Sequence, residues 1–266
     1  MRLPVVTVGL DNFAMGNWAL DNRDGIAVLT YTRPPRNYLD FASIAELGDL
    51  LERVGKESDE LKAVMLTGGV DGYFIAHGDL EDLARLGRGE GEDGPPAWRR
   101  VTDLVRDIPQ PVVAAIDGQA WGAGNELAIA CQLRVASERS HLGNPEVNVG
   151  ITTGGGGTPR LLRLIGPGLA AEVLLRGRVF KADEALRVGW VNAVLPAEGF
   201  ADAAVAWCRK LVELPTEAVY AAKRVLVQSA ELSLDEGLAL ELAEFKQITG
   251  NSPAMAARIK QIAAGG

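Results

Sequence analysis

The stretch Asp117-Gly-Gln-Ala-Trp-Gly-Ala-Gly-Asn-Glu-Leu127 decides the fold. It follows the apolar run 111–116, which predicts a buried strand, and it leads into residues 124–131, whose spacing predicts a helix. The first N–H groups of a helix have no partner inside it, so small residues at such a start let a ligand oxygen approach. Ala123 and Gly124 lie at this start, and Glu126 lies in the first turn. The stretch therefore predicts backbone N–H donors beside a carboxylate.

Two glycine-rich stretches suggest nucleotide binding, but each lacks a key residue. Leu127 stands where a dinucleotide fingerprint has its third glycine, and no lysine precedes Thr158 after the glycines at 154–157, as a Walker loop requires. The chain also has no Gly-x-Ser-x-Gly and no His-Glu-x-x-His motif. These absences count against a dehydrogenase, an NTPase, a serine hydrolase and a zinc protease.

The rest of the chain alternates short apolar runs with helical segments. Strands are predicted in 17–31 (two, around a turn), 63–67, 133–136 and 191–195, and helices over 43–54 and 97–106. This alternation predicts an α/β core with parallel strands. Residues 85–96, rich in Gly and charge, predict a mobile loop.

From residue 200 onward the pattern is helical only, over 200–213, 216–229, 235–249 and 253–262. We therefore expect a core with the active site over 1–199 and a C-terminal helical region over 200–266. The Ala- and Leu-rich faces of that region must pack on the core or on another subunit.

Composition narrows the classes of function. The 266 residues are 47% hydrophobic and 23% charged, which is typical of a globular protein, and the net charge is −8. An acidic chain without a basic tract is a poor candidate for nucleic-acid binding. Two cysteines and two histidines are too few for a disulfide framework or a Cys/His zinc site. No apolar run reaches the ~18 residues of a membrane span, and no secretory signal is recognisable, so we expect a cytoplasmic protein that binds no membrane.

A second loop predicts a further backbone donor. The stretch Ala76-His-Gly-Asp79 follows the strand at 63–67 and begins another predicted helix. Two N–H groups from separate loops could form an oxyanion hole for a carbonyl that becomes an enolate. Asn144-Pro-Glu146 adds a second carboxylate after the strand at 133–136. Two carboxylates in an apolar setting can divide the roles of acid and base.

With these motifs the chain resembles the crotonase (enoyl-CoA hydratase/isomerase) superfamily over residues 15–245. Residues 74–80 resemble its Phe-x-Ala-Gly-x-Asp-[Ile/Leu] motif, and residues 117–127 resemble its Gly-x-x-x-Gly-Gly-Gly-x-Glu-Leu motif. Residues 142–161 resemble the segment from Pro-Glu to Gly-Gly-Thr-x-Arg-Leu, and residues 182–192 resemble Ala-x-x-Ala-x-x-x-Gly-Leu-Val. The resemblance implies a crotonase-like spiral of ββα units with a C-terminal helical region that forms a homotrimer or a dimer of trimers.

The resemblance also implies an activity: reversible syn hydration of a 2-trans-enoyl-CoA to a 3-hydroxyacyl-CoA. Glu126 would activate water, Glu146 would give a proton to Cα, and the N–H groups of Gly78 and Ala123 would hold the thioester enolate. Coenzyme A would be part of the substrate, and no metal or other cofactor is expected. Contacts to substrate or CoA are expected from Arg36, Ala76, His77, Asp79, Leu80, Trp121, Gly122 and Gly154.

Two alternatives stay open. One is a related chemistry, enoyl-CoA isomerisation or dehydration of a polar acyl-CoA, and the other is a non-catalytic acyl-CoA-binding protein. His77 stands where the family usually has glycine, and it could either pack at the helix start or touch substrate. Asn148, Thr152 and Thr153 make one wall of the expected pocket polar, either for a polar acyl chain or for bonds to their own neighbours.

Overall fold

The computed structural model describes residues 13–263, which hold eleven strands and ten α-helices. The first twelve residues of the predicted core therefore lie outside the described residues. The strands are β1 Phe13–Met15, β2 Trp18–Arg23, β3 Ile26–Tyr31, β4 Ala63–Gly68, β5 Tyr73–Ile75, β6 Val112–Ile116, β7 Gln119–Trp121, β8 Leu133–Ser137, β9 His141–Gly143, β10 Val179–Lys181 and β11 Ala193–Leu195. The helices are α1 Phe41–Lys56, α2 Leu80–Gly87, α3 Gly94–Asp107, α4 Ala123–Ala130, α5 Gly157–Arg176, α6 Ala182–Arg187, α7 Phe200–Glu213, α8 Thr216–Ser229, α9 Leu234–Asn251 and α10 Pro253–Ala263.

Seven strands form a large sheet in the order β1-β2-β3-β4-β6-β8-β11. The first three pair antiparallel, and β2 and β3 form the predicted hairpin around Asp24 and Gly25, both at positive φ. From β3 to β11 every pairing is parallel, as the alternation of strands and helices predicts.

A second sheet of four strands, in the order β10-β9-β7-β5, was not predicted from the sequence. Each of its strands has only three residues, too few to show a period of two. Strands β4, β6 and β8 belong to the large sheet, and the next strand along the chain after each of them, β5, β7 and β9, belongs to the small sheet. This repeat confirms the expected spiral of ββα units.

Both faces of the large sheet are buried. On β3, Ala27 and Leu29 belong to the main core with α1 and α3, whereas Ile26 and Val28 pack in a second cluster with α7. A sheet covered on both faces has strands that are apolar throughout, which explains the unbroken apolar runs.

The helices follow the predicted positions, with two differences. The segment predicted as a loop over 85–96 is wrong at both ends, because α2 continues to Gly87 and α3 begins at Gly94. Proline in the first turn of a helix lacks only an N–H that has no partner there, so Pro95 fits that position. Helix α5 was missed, because its glycine-rich start and its break at Gly166, where φ is 77°, conceal the helical pattern.

The last three helices expose apolar side chains. In α9 and α10 no residue is buried. Leu234, Leu238, Leu242 and Phe245 on α9 are 78%, 52%, 52% and 64% exposed. No helix among residues 13–263 combines the length and apolarity that crossing a membrane needs. The division of the chain at residue 200 stays a prediction.

Candidate active site

A cavity of about 1240 Å³ lies at the end of β7, among α2, α3, α4 and the start of α5. Its lining includes most of the predicted site residues, namely Glu126, Glu146, Gly78, Ala123, His77, Asp79, Leu80, Trp121, Gly122 and Gly154. Two predicted residues, Arg36 and Ala76, are not part of this lining. The structure therefore brings together residues that are up to 77 positions apart in the sequence.

Two backbone N–H groups face this cavity from separate loops. A Cβ atom added to Gly78 would lie 3.5 Å from the Cβ of Ala123, so the two residues are neighbours. Ala123 is the first residue of α4, and its N–H has no intrahelical partner, as predicted. Neither N–H donates a hydrogen bond to another of the residues 13–263.

Gly78 is not at a helix start, which corrects the expectation for this loop. Asp79 is the residue that caps α2, through its Oδ1 and the N–H of Glu81 at 2.9 Å. Gly78 instead pairs with Leu39 in a parallel β-bridge. The backbone hydrogen bonds of this bridge are made by His77 and Asp79, the residues on either side of Gly78. Leu39 N–H donates to His77 O, and Asp79 N–H donates to Leu39 O. The N–H of Gly78 is left free by this strand-like pairing.

Glu126 is almost fully buried in the first turn of α4. Its Oε1 accepts hydrogen bonds from the N–H groups of Gly155 and Gly157, both at 2.8 Å. The pKa of this carboxyl is raised to about 7, chiefly by burial and also by the nearby Glu146, while the two N–H donors act to lower it. Glu126 is therefore a carboxylate that accepts a proton readily near neutral pH.

Glu146 begins the short 3-10 helix Glu146–Val149 and lines the same cavity. Its Oε1 accepts a hydrogen bond from Asn144 Nδ2 at 2.9 Å, while its Oε2 is buried and has no partner among residues 13–263. A methyl group on Gly157 would lie 3.0 Å from Glu126 Oε1 and 3.1 Å from Asn144 Nδ2. Gly157, which donates to Glu126, and the side-chain amide of Asn144, which donates to Glu146, therefore lie close together beside the cavity.

The two predicted residues outside the cavity have different surroundings. Arg36 is exposed in the turn before Asn37. Ala76 is buried, and its carbonyl oxygen accepts from the N–H of Trp121 at 3.2 Å. Their contact with CoA stays a prediction.

Asp79 has a structural partner in addition to its place at the cavity. Its Oδ2 accepts from Arg33 at 2.8 Å, which holds the loop of Gly78 against the turn after β3. Hydrogen bonds from Arg33 and the α2 backbone lower the pKa of Asp79 in spite of burial.

His77 both packs and lines the cavity. Its ring lies 4.5 Å from that of Tyr38, centroid to centroid, and its Nδ1 is 2.6 Å from Gly78 O. His77 does not cap α2, because Asp79 is the N-cap residue of that helix.

The polar wall divides into two parts. Asn148 and Thr152 line the cavity, whereas the Thr153 hydroxyl lies 2.7 Å from that of Thr158 and serves the loop itself. Trp121 also lines the cavity, with its Nε1 buried and without a partner.

Sequence reasoning missed the groups that hold the two glutamates. Gly155 and Gly157 donate to Glu126, although only Gly154 was expected at the site. Their signal was present in the repeated glycines, where a Cβ on Gly155 would lie 2.6 Å from Glu126 Oε2 and from Trp98. Among residues 13–263, no group of three or more His, Cys, Asp and Glu side chains is arranged to hold a metal ion.

Known proteins resemble this chain over nearly its whole length. A sequence model described as enoyl-CoA hydratase/isomerase matches residues 21–256. A short-chain-enoyl-CoA hydratase of Clostridium acetobutylicum is 33% identical over 232 residues, which cover 87% of this chain and 88% of the relative. A crotonyl-CoA hydratase of Syntrophomonas wolfei is 32% identical over 233 residues, covering 87% and 89%.

A solved structure has the same fold. The crystal structure of an enoyl-CoA hydratase from Bacillus anthracis superimposes with a TM-score of 0.84 at 30% identity, covering 90% of this chain and 93% of that one.

Proposed function

The chain belongs to the enoyl-CoA hydratase/isomerase, or crotonase, family, and we propose that it hydrates a 2-trans-enoyl-CoA reversibly to a 3-hydroxyacyl-CoA. Relatives named short-chain-enoyl-CoA hydratase and crotonyl-CoA hydratase support this choice within the family. The substrate is an acyl-CoA thioester, and the reaction as proposed needs no metal and no redox cofactor.

The thioester oxygen binds between the N–H groups of Gly78 and Ala123. As water adds, negative charge moves onto this oxygen, and the two fixed donors stabilise the enolate more strongly than the neutral thioester. Each such donor is worth roughly 3 kcal/mol of transition-state stabilisation in comparable sites.

The two glutamates move the protons. Water gives a proton to Glu126 as its oxygen bonds to Cβ, and Glu146 gives a proton to Cα, so that H and OH are added across the double bond. Oε2 is the oxygen of Glu126 that takes the proton, because Oε1 already accepts two N–H groups. Glu126 ends protonated and Glu146 ends ionised, and proton exchange with solvent restores both before the next turnover.

One observation carries the proposal: Glu126 and Glu146 line the same cavity as the two unpartnered N–H groups. A one-base isomerisation needs only one carboxyl there, and a protein that merely binds acyl-CoA needs neither. The raised pKa of Glu126, about 7, suits a general base that works near neutrality.

The test is the loss of enone absorbance when the protein is mixed with crotonyl-CoA. We expect turnover by the wild type and a drop in kcat of at least about 100-fold in Glu126→Gln and in Glu146→Gln, since each variant removes one proton-transfer group. Glu231→Gln makes the same exchange at another residue of the cavity lining, away from the loops of Gly78 and Ala123, and serves as the control. Unchanged turnover in both glutamine variants would exclude this mechanism.

We propose further that the exposed apolar face of α9 is covered by other copies of this chain, as a trimer or a dimer of trimers. Four large apolar side chains, each at least half exposed, form an unusual surface for a lone subunit. The family resemblance favours the threefold assembly.

A further inference from the structure

Glu146 is the last member of a buried chain of hydrogen bonds that begins outside the cavity. Trp190 Nε1 donates to Asn125 Oδ1 at 3.1 Å, and Asn125 Nδ2 donates to Asn144 Oδ1 at 2.6 Å. Asn144 Nδ2 then donates to Glu146 Oε1 at 2.9 Å and lies 3.5 Å from Gly122 O. Trp190 and Asn125 are fully buried and Asn144 is 1% exposed. We call Trp190, Asn125 and Asn144 the amide relay.

The direction of this relay is set by its first member. An indole nitrogen can only donate, whereas a primary amide can donate at one end and accept at the other. Trp190 therefore requires the oxygen of Asn125 to face it, which turns the Asn125 NH₂ group toward Asn144. The same reasoning turns the oxygen of Asn144 toward Asn125 and its NH₂ group toward Glu146.

A fixed donor at one carboxyl oxygen decides where a proton can sit. Oε1 of Glu146 is met by N–H from Asn144, so an O–H at Oε1 would place two donors against each other. Oε2 has no partner within the part of the chain described, and it is sealed from solvent. The protonated carboxyl thus keeps Oε1 as its C=O and Oε2 as its O–H.

We propose that the amide relay is a positioning device that holds the Glu146 carboxyl in one orientation, with Oε1 kept as the acceptor of the Asn144 NH₂ group. This inference rests on the proposed hydratase function. Trp190 is absent from the cavity lining, so it touches no substrate and acts only through the two asparagines. Asn125 and Asn144 are positioning residues in the same sense.

The test compares Trp190→Phe with Trp18→Phe. Trp18 is also buried, and its Nε1 donates at 2.9 Å to Ser43 O, outside the relay and the cavity, so the control makes the same chemical change elsewhere. We expect Trp190→Phe to lower kcat for crotonyl-CoA about tenfold with KM within about twofold, because loss of one oriented donor to a carboxyl costs roughly a factor of ten. Trp18→Phe should keep the wild-type kcat.

Infrared spectroscopy without substrate gives the second readout. At acid pH, where carboxyl groups carry a proton, the C=O stretch that is lost in Glu146→Gln should move to higher wavenumber in Trp190→Phe, since a carboxyl C=O that loses a hydrogen bond stiffens. Trp18→Phe should leave the band in place. A structural role alone would lower stability and not move this band.

A second variant covers the case in which Trp190→Phe does not fold. Asn125→Asp presents an oxygen to Asn144, which must then turn its NH₂ group away from Glu146, and we expect the same band shift and fall in kcat. The relay would be overturned if Trp190→Phe had the same C=O band position and the same kcat as Trp18→Phe. If only Asn125→Asp folds, a wild-type band position and a wild-type kcat in that variant would overturn it. Absence of turnover in the wild type would count against the proposed function instead, while the infrared comparison would still test the relay.

Discussion

The carboxyl of Glu126 is held in an environment that favours its neutral form. Burial raises the folded-state pKa from 4.5 to about 7, so the folded protein binds this proton more tightly than the unfolded chain does. The stability of the fold therefore falls as pH rises from about 4.5 to about 7, and it stays reduced above that range. The proposed general base therefore lowers the stability of the fold at neutral pH.

Glu126→Gln should remove that loss. Glutamine cannot ionise, and its oxygen can still accept from the N–H groups of Gly155 and Gly157. At pH 8 we expect a free energy of unfolding about 2–3 kcal/mol above that of the wild type, and at pH 4 nearly equal values. Urea unfolding at both pH values measures this, and a difference that does not change with pH would contradict it.

At the scale of elements, the contact between α4 and β5 positions the N–H of Ala123. A Cβ on Gly124 would lie 2.1 Å from the carbonyl oxygen of Ile75, which is rigid backbone. Only glycine lets the helix start approach the strand this closely.

We therefore expect Gly124→Ala to destabilise the fold by about 3 kcal/mol, since overpacking against backbone forces the two elements apart. The N–H of Ala123 should move with them, so kcat should fall as well. Gly250→Ala in α9 is the matched control, because an added Cβ meets nothing within 4 Å there. Thermal unfolding and crotonyl-CoA turnover of both variants test this prediction. Equal stability of the two variants would contradict it, because it would mean that α4 and β5 move apart at little cost.

A single lysine ties α8 to the end of α3. Lys223 Nζ donates to the carbonyl oxygens of Val105, Ile108 and Gln110 at 2.9, 2.7 and 2.7 Å. The last carbonyls of a helix lack intrahelical partners, so this ammonium replaces the water they would otherwise bind.

Lys223→Met should leave the carbonyl oxygens of Ile108 and Gln110 without a donor, while Val105 O keeps its hydrogen bond from Gln132 Nε2 at 3.2 Å. Burial lowers the pKa of Lys223 to about 7, so the cost of burying the ammonium offsets part of the gain, and we expect a net loss of about 1–3 kcal/mol. Lys210→Met, at an exposed position of α7, should change stability by less than about 0.5 kcal/mol. Chemical denaturation of the two variants is the measurement, and a Lys223→Met protein as stable as the wild type would refute the coupling.

The elements differ in how far the sequence predicts them. The large sheet apart from β1, and the helices from α7 onward, were predictable, because long apolar runs and helical periods carry their own signal. The small sheet and α5 were not, since three-residue strands and glycine-rich starts have no period to detect. At the site, motifs located Glu126 and Glu146. The amide relay could not be predicted, because Trp190 reaches Asn125 only in the folded chain, across 65 positions.

At the scale of the whole molecule, the exposed face of α9 predicts association. Leu238 and Leu242 lie one turn apart on this face, each 52% exposed. Burial of such side chains between subunits stabilises an assembly by about 25 cal/mol for each Å² removed from water.

Sedimentation of the wild type should give three or six times the subunit mass of 28.2 kDa. The double variant Leu238→Asp and Leu242→Asp should sediment as single subunits, since unpaired carboxylates would have to be buried in the contact. Glu241→Asp, between them in the sequence, is the control that adds no charge. A wild type that sediments as a single subunit at micromolar concentration would rule out the association.

In the proposed mechanism, the thioester oxygen is bound only by peptide N–H groups, those of Gly78 and Ala123. No exchange of one non-proline side chain for another at these positions deletes either donor. Protein engineering could thus replace both glutamates and every side chain around the acyl group, and the two N–H donors would remain. The fold should therefore support other reactions that pass through an enolate. Substitutions at Glu126 and Glu146 would change the proton transfers, while the two N–H donors would still polarise the thioester.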